Sequence, residues 1–257
     1  MADDVKLTFL GCGDAFGSGG RLNTCFFVRA PSMRFLLDCG ASSLVALHRH
    51  GLTTDDVDAI LITHFHGDHY GGLPFVFLEA AKQRKRARPL TVVTPQGGEK
   101  RTRQLMEALY PGTSPVMDEL DLDFVEYDAH QTLDVEALTL STFPVVHSAE
   151  ALSHGLRVRV DGRTLGFSGD TSWTDELIDI AADADLMVCE CNFFDTVTPV
   201  HIDYRTLEQH LHRLTARRII LNHLGNEMLE QRDRVALECA EDGMAVVIHH
   251  PDAETQA

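Results

Sequence analysis

The chain has 257 residues, 44% of them hydrophobic and 24% charged, which is enough to bury a large core and typical of globular proteins. Its formal net charge of −17 argues against a broad polyanion-binding surface, because neutralising phosphates needs clustered Lys and Arg. No apolar run approaches the roughly 20 residues of a membrane-spanning helix. The N-terminal residues also lack a signal-peptide pattern, so we expect a cytoplasmic protein with no membrane partner.

The first 110 residues alternate apolar runs with helical patterns, and glycine or proline marks most of their ends. The glycine-rich segment 11–20 lacks the Gly-Lys-Ser/Thr ending of a P-loop, so we interpret it as a turn near the rim of a site. Predicted strands cover Val5–Leu10, Thr24–Val28, Phe35–Asp38, Ala59–Ile62 and Leu90–Val93, and predicted helices cover Ser42–His50, Leu73–Arg86 and Gly97–Tyr110.

The middle of the chain is rich in strands, and the last third returns to alternating helices and strands. Asp161 and Gly162 predict a hairpin turn. With no linker or short repeat in the sequence, we expect one domain over residues 1–257. The strands are Leu122–Tyr127, Leu138–Val146, Leu156–Val160, Thr164–Phe167, Asp185–Cys191, Arg218–Leu221 and Ala245–His249, and the helices are Thr174–Ala182, Arg205–Leu214 and Glu227–Glu241.

Four potential metal ligands lie within six positions directly after the apolar run at residues 59–62. They are His64, His66, Asp68 and His69. Desolvating four such side chains at a strand end is costly unless a cation shares their lone pairs. This density therefore predicts a metal site.

Three further candidates each follow an apolar run. They are His147, Asp170 and His223. Sheets that combine strands and helices place their sites where strand ends border a shared crevice. We therefore expect these three side chains to join the first four around the same site.

These motifs resemble the metallo-β-lactamase-fold hydrolases, and in particular their ribonuclease Z and cyclic phosphodiesterase branch. The resemblance implies an α/β fold, a four-layer αββα sandwich with a metal site on its edge. It also implies that Asp38 supports the site. Two divalent ions are implied, with Zn²⁺ favoured and Mn²⁺ or Fe as alternatives. The implied ligands are His64, His66 and His147 for one ion, Asp68, His69 and His223 for the other, and Asp170 between the two.

A metal pair of this kind generates hydroxide near neutral pH, so we predict a dinuclear hydrolase. An alkoxide leaving from a phosphodiester benefits from a general acid. The resemblance implies that His201 is this acid, because that branch has a catalytic His at a similar place before the last ligand. Asp203 or Glu190 could orient it. Asp68 has a second predicted role, orienting the attacking hydroxide. We therefore predict a phosphodiesterase acting on a small or cyclic phosphodiester or a short nucleotide.

Three other functions stay open: a ribonuclease Z that processes transfer-RNA 3′ ends, a lactonase or thioesterase, and a metal-holding protein without turnover. Transfer RNA is disfavoured as a partner because the chain lacks the long glycine-rich basic arm of ribonuclease Z and is strongly acidic. The resemblance also suggests a homodimer, to which residues 73–81 could contribute.

Two other sequence features have alternative interpretations. The basic stretch at residues 82–88 is either a solvated helix end or a patch that meets an anionic substrate. Six cysteines in a chain with no export signal are interpreted as reduced thiols, with Cys189 and Cys191 facing one side of a strand.

Overall fold

Two mixed sheets lie face to face between layers of helices in the computed structural model, which describes residues 4–249. The strands, in chain order, are β1 (Val5–Gly11), β2 (Cys25–Arg29), β3 (Arg34–Leu37), β4 (Ala59–Leu61), β5 (Leu90–Pro95), β6 (Leu122–Tyr127), β7 (Thr132–Val135), β8 (Leu138–Pro144), β9 (His154–Val160), β10 (Arg163–Phe167), β11 (Leu186–Glu190), β12 (Ile219–Asn222), β13 (Glu238–Cys239) and β14 (Ala245–Ile248).

The first sheet has the strand order β14-β1-β2-β3-β4-β5-β6, and the second has the order β13-β12-β11-β10-β9-β8-β7. In the first sheet, β14, β1, β2 and β3 pair antiparallel, whereas β3 to β6 pair parallel. The second sheet repeats this plan, with an antiparallel part from β7 to β10 and a parallel part from β10 to β13.

The interface between the sheets is apolar because alternate strand residues point inward. In β1, Val5, Leu7 and Phe9 are fully buried there. Phe26 packs edge-on against Phe9 in its own sheet, at 4.9 Å between ring centroids, and against Phe167 in the opposite sheet, at 5.1 Å. Burying one such side chain contributes about 1.5–3 kcal/mol, so this core holds the two sheets together.

Helices cover the outer face of each sheet, and this completes the predicted αββα order of layers. Helices α1, α3 and α4 pack on the first sheet, and α5, α6 and α7 pack on the second. The helices are α1 (Ser43–Arg49), α2 (Gly67–Tyr70), α3 (Leu73–Leu78), α4 (Gly98–Leu109), α5 (Glu176–Ala181), α6 (Tyr204–His210) and α7 (Asn226–Glu230). Within residues 4–249, no helix is long and apolar enough to cross a bilayer.

The helix predicted over Glu227–Glu241 is wrong. The α-helix there ends at Glu230, a single 3-10 turn follows at Arg232–Arg234, and the chain then enters β13. The pairing of β13 explains the difference, because Glu238 and Cys239 pair in parallel with β12 and so extend the second sheet. The predicted helix over Leu73–Arg86 also changes type, continuing after α3 as a π-helix over Glu79–Arg84.

The basic stretch at residues 82–88 is engaged by the chain itself. Arg86 is buried, and its guanidinium donates hydrogen bonds to the carbonyls of Val57 (2.8 Å) and Pro89 (2.5 Å). These contacts make the stretch a part of the fold rather than a free patch for an anionic substrate. The other ion pairs are Lys82 with Glu119, Arg84 with Asp55 and Arg88 with Asp58.

The cysteines behave as the sequence predicts. All six are free thiols, and Cys189 and Cys191 are buried in the core between the second sheet and its helices. Burial raises the pKa of the Cys189 thiol to about 12, so it stays protonated and serves as a small apolar side chain.

Candidate metal centre and active site

Three histidines direct ring nitrogens at one point on the edge of the sandwich. Nδ1 of His66 lies 3.2 Å from Nε2 of His64 and 3.1 Å from Nε2 of His147. Two nitrogens bound to one tetrahedral Zn²⁺ at about 2.0–2.1 Å each would lie about 3.3 Å apart. The spacing of these three nitrogens therefore suits a shared cation.

A second group forms beside the first. Nε2 of His223 lies 3.2 Å from a carboxylate oxygen of Asp68 and 3.3 Å from one of Asp170. Nε2 of His69 lies 3.2 Å from the other oxygen of Asp170. Since Asp170 is also 3.9 Å from Nε2 of His64, its carboxylate lies between the two groups.

The donor atoms of this site fit metal ions. Among residues 4–249, Nε2 of His69 is buried without a hydrogen-bond partner. An orphaned buried nitrogen is costly, and it faces carboxylates whose lone pairs also need a positive partner. Mixed imidazole and carboxylate donors are the ligands of Zn²⁺ and of similar divalent ions.

Charge within the second group supports this interpretation. Burial alone would raise the pKa of Asp170, but His223 and His69 outweigh it and hold that pKa well below its usual range. Burial likewise lowers the pKa of His223, and Asp170 and Asp68 reverse this and raise it to about 9. The charge of the ionised carboxylates is thus balanced by positive charge on the imidazoles, a place that a bound cation would take.

Asp38 connects the two groups from behind. Its carboxylate accepts a hydrogen bond from Nδ1 of His69 at 2.6 Å and from the hydroxyl of Thr63 at 2.9 Å. That hydroxyl in turn accepts from Nδ1 of His64 at 3.0 Å. These bonds place the protons on both Nδ1 atoms and leave both Nε2 lone pairs facing the site. Asp38 adopts φ +58°, a left-handed conformation that Asp and Asn tolerate better than most residues.

Other supporting groups were not predicted. The carbonyl of Val200 accepts from Nδ1 of His147 at 2.7 Å, and the side-chain amide of Asn192 lies 3.3 Å from Nδ1 of His223. A backbone carbonyl carries no sequence signal, so the Val200 contact could not be found without coordinates. Asn192 lies two residues after the end of β11, and this position near a strand end is the one available hint.

His201 lies between the two groups. Its Nδ1 is 2.8 Å from a carboxylate oxygen of Glu190, which is fully buried at the end of β11. Burial lowers the pKa of His201, but the hydrogen bond and charge of Glu190 outweigh this and raise it. Asp203, the alternative orienting group, instead caps α6 by accepting from the backbone N–H of Thr206 at 2.8 Å.

All of the residues predicted for the site are brought together. Ligand atoms of His64, His66 and His147 lie within 4.8 Å of one another, as do those of Asp68, His69, Asp170 and His223. His201 lies within the same distance of His147 and Asp170. Their roles as ligands and as acid stay predictions. His154, which we did not expect to bind metal, lies outside these groups and bonds the carbonyl of Leu152 at 2.7 Å.

Close packing positions the helix that carries Asp68. A Cβ added at Gly40 would lie 2.2 Å from the carbonyl oxygen of Asp68, so only glycine lets these two segments approach. The backbone N–H of His223 is held by the carbonyl of Cys12 at 3.0 Å. The glycine-rich segment thus borders the site, as predicted.

Comparison with known proteins gives a match over most of the chain. The family described as Anti-Pycsar protein Apyc1 matches residues 5–245. The chain belongs to this family. The Anti-Pycsar protein Apyc1 of Bacillus phage 010DV004 is 29% identical over 247 residues, which cover 89% of this chain and 92% of the phage protein. Ribonuclease Z of Mycobacterium bovis is 28% identical over 209 residues, covering 76% of this chain and 73% of the ribonuclease.

Solved structures share the architecture. The metallo-β-lactamase fold protein YhfI of Bacillus subtilis superposes with a TM-score of 0.76 at 20% identity, covering 95% of this chain and 99% of YhfI. The short form of human tRNase Z superposes with a TM-score of 0.75 at 23% identity. The match covers 95% of this chain and 100% of the tRNase Z chain. The predicted fold is confirmed. Together with the His and Asp cluster, these relatives show that the chain is a metal-dependent hydrolase of the phosphodiesterase and ribonuclease Z type.

Proposed function

We propose that this hydrolase cleaves small or cyclic phosphodiesters, including cyclic nucleotides, and uses His201 as general acid. The observation that carries the proposal is the His201–Glu190 pair beside the metal-ligand groups. An alkoxide is a poor leaving group and needs a proton as it departs. A thioester hydrolase has less need of an imidazole oriented by a carboxylate at this position, because a thiolate leaves without a proton.

We propose that two divalent ions are held by the ligand sets predicted above, with Zn²⁺ preferred over Mn²⁺ or Fe. Ions bound there would activate a water molecule and stabilise charge on the phosphoryl oxygens. Asp68, besides being a ligand, would accept a hydrogen bond from the attacking water and orient it.

The remaining steps belong to the protein side chains. Glu190 accepts the hydrogen bond of Nδ1 of His201 and so fixes the ring, which leaves Nε2 to hold the transferable proton. As the bond from phosphorus to the leaving oxygen breaks, that oxygen takes the proton from Nε2. The product is a phosphomonoester with a free hydroxyl group.

The test compares His201→Ala with His212→Ala, an exposed histidine of a 3-10 helix that lies outside the ligand groups. With a cyclic nucleotide, His201→Ala should lower kcat by about 10²–10⁴-fold, the usual contribution of a general acid. With bis(p-nitrophenyl) phosphate the loss should be much smaller, because nitrophenolate leaves without a proton. Metal content should be unchanged in both variants. An equal loss on both substrates, or none on either, would refute the role of His201.

A ribonuclease Z activity is the second candidate, supported by the relatives of that name. The net charge of −17 and the self-paired basic stretch oppose it, because binding transfer RNA requires free cationic surface. A substrate panel decides between the functions. Cleavage of precursor transfer RNA that weakens steeply with salt would favour the ribonuclease, and lactone or acyl-glutathione cleavage alone would favour a carbonyl hydrolase.

We also propose a homodimer that uses the outer side of α3. Residues 73–81 mostly face the core, but Phe75 and Leu78 are partly exposed and line a groove with Tyr110. Light scattering after size exclusion tests this. The native protein should have twice the monomer mass, and Phe75→Lys should shift it toward the monomer. A monomeric native protein contradicts the proposal.

A further inference from the structure

Two cations face each other on the outer surface of the first sheet. Lys6 of β1 and Arg29 of β2 are directly opposite in the antiparallel register. Their neighbours Val5, Leu7 and Val28 are buried, so these two side chains point to the outer face. Like charges in this arrangement are destabilising unless something compensates them.

A histidine borders the same place. His50, at the C-terminal end of α1, joins Lys6 and Arg29 around a cavity of about 270 Å³. Its ring lies beside Gly243, at ordinary van der Waals distance from where a Cβ of that residue would be. None of the residues that line this cavity is acidic. The others are Thr8, Phe27, Leu52, Gly243 and Ala245.

The charges of Lys6 and Arg29 are not compensated by a carboxylate among the described residues. Between residues 4 and 249, no carboxylate pairs with Lys6, Arg29 or the ring of His50. This is unexpected in a protein with 39 acidic residues and a net charge of −17. The neighbouring Arg34 on β3, by comparison, pairs with Asp56 at 3.1 Å.

We propose that this cavity binds a small phosphate-bearing anion. Two permanent cations and an imidazole match the charge of a phosphate dianion, and a guanidinium fork suits its oxygens. The hydroxyl of Thr8 can donate a further hydrogen bond, and Leu52 forms an apolar wall for the organic part of a phosphomonoester. We refer to Lys6, Arg29 and His50 with this cavity as the outer anion site.

The outer anion site is separate from the metal centre. The carbonyl of Cys12 accepts a hydrogen bond from the backbone N–H of His223, so Cys12 marks the metal centre. Lys6 lies six residues earlier along the extended β1, which places it about 20 Å from Cys12. The inference therefore does not depend on the proposed phosphodiesterase reaction. Loss of one site should leave the other intact.

The test is equilibrium dialysis of inorganic phosphate against the metal-loaded protein at fixed ionic strength. The control is Arg159→Gln, which removes an exposed arginine on β9. The native protein and this control should each bind one more phosphate than the double variant Lys6→Gln/Arg29→Gln. Each single variant should weaken this site about tenfold. Acetate should bind at least tenfold more weakly than phosphate. Equal phosphate stoichiometry in all variants, or equal binding of acetate, would overturn the proposal.

Thermal unfolding provides a second measurement that does not need the ligand to be identified. Without phosphate, Lys6→Gln should unfold at the same temperature as the native protein or higher, because a like-charge contact is removed. With saturating phosphate, the native protein should become the more stable of the two. Hydrolytic activity should be unchanged in the variant. If phosphate stabilises both proteins equally, the anion binds elsewhere and the proposal fails.

Discussion

Replacing Asp38 with Asn should weaken metal binding in both ligand groups, because this carboxylate supports His69 directly and His64 through Thr63. Asn is close in shape and tolerates the left-handed backbone at φ +58°, so the substitution removes charge without adding strain. Its amide oxygen can still accept from Thr63. Its NH₂ group, however, would face Nδ1–H of His69, and two donors cannot bond.

The size of the effect follows from the lost contact. A hydrogen bond to a charged group contributes about 1.5–3 kcal/mol. Removing a carboxylate that holds a metal-ligating histidine typically costs about 10–100-fold in metal affinity, which corresponds to about 1.4–2.8 kcal/mol. The two ranges agree, so we expect the dissociation constant for Zn²⁺ to rise by about 10–100-fold.

Competition with a chromogenic chelator measures this constant, and elemental analysis after dialysis gives the metal content. Asp233→Asn is the matched control, because Asp233 is exposed in the 3-10 turn after α7. The control should bind metal as the native protein does. A dissociation constant for Asp38→Asn within twofold of the native value would show that Asp38 does not support the site.

Three further predictions concern the metal ions, the packing beside Asp68 and the buried Arg86. Dialysis against a chelator should abolish hydrolysis and lower the melting temperature, and added Zn²⁺ or Mn²⁺ should restore both; full activity in protein shown to be metal-free would contradict a metal mechanism. Gly40→Ala should lower the metal content more than it lowers the helix content seen by circular dichroism, because the added Cβ would collide with the carbonyl of Asp68. Unchanged metal content would show that the segments carrying residue 40 and Asp68 can move apart. Arg86→Ala should lower the free energy of unfolding in urea by at least about 3 kcal/mol, because several buried carbonyls lose their hydrogen-bond donor. The control Arg49→Ala should change it very little, and similar unfolding midpoints for both variants would contradict this prediction.

The site was the most predictable part of this chain from its sequence. His64, His66, Asp68 and His69 are adjacent in the chain, so their clustering needed no tertiary structure. The later residues His147, Asp170 and His223 required the additional assumption that strand ends meet at one edge of the fold. The order of the two sheets confirms that assumption, and each ligand group draws on both sheets.

The parts that could not be predicted depend on long-range contacts. The strand Thr132–Val135 was missed because its exposed polar residues gain their strand geometry from pairing with β8. Residues 238–239 were interpreted as helix because their pairing partners in β12 lie 18 positions earlier in the chain. The sequence allowed either Glu190 or Asp203 as the partner of His201. Only the structure shows that Glu190 contacts His201, whereas Asp203 caps α6.

The ligand groups have a consequence for assembly of the protein. Asp68 and His223 are 155 positions apart in sequence, and they follow strands of opposite sheets, β4 and β12. Neither group of ligands is complete until both halves of the chain have folded and docked. Metal uptake should therefore be a late event in folding, and the metal content of a preparation would report the fraction of molecules whose two halves are correctly joined.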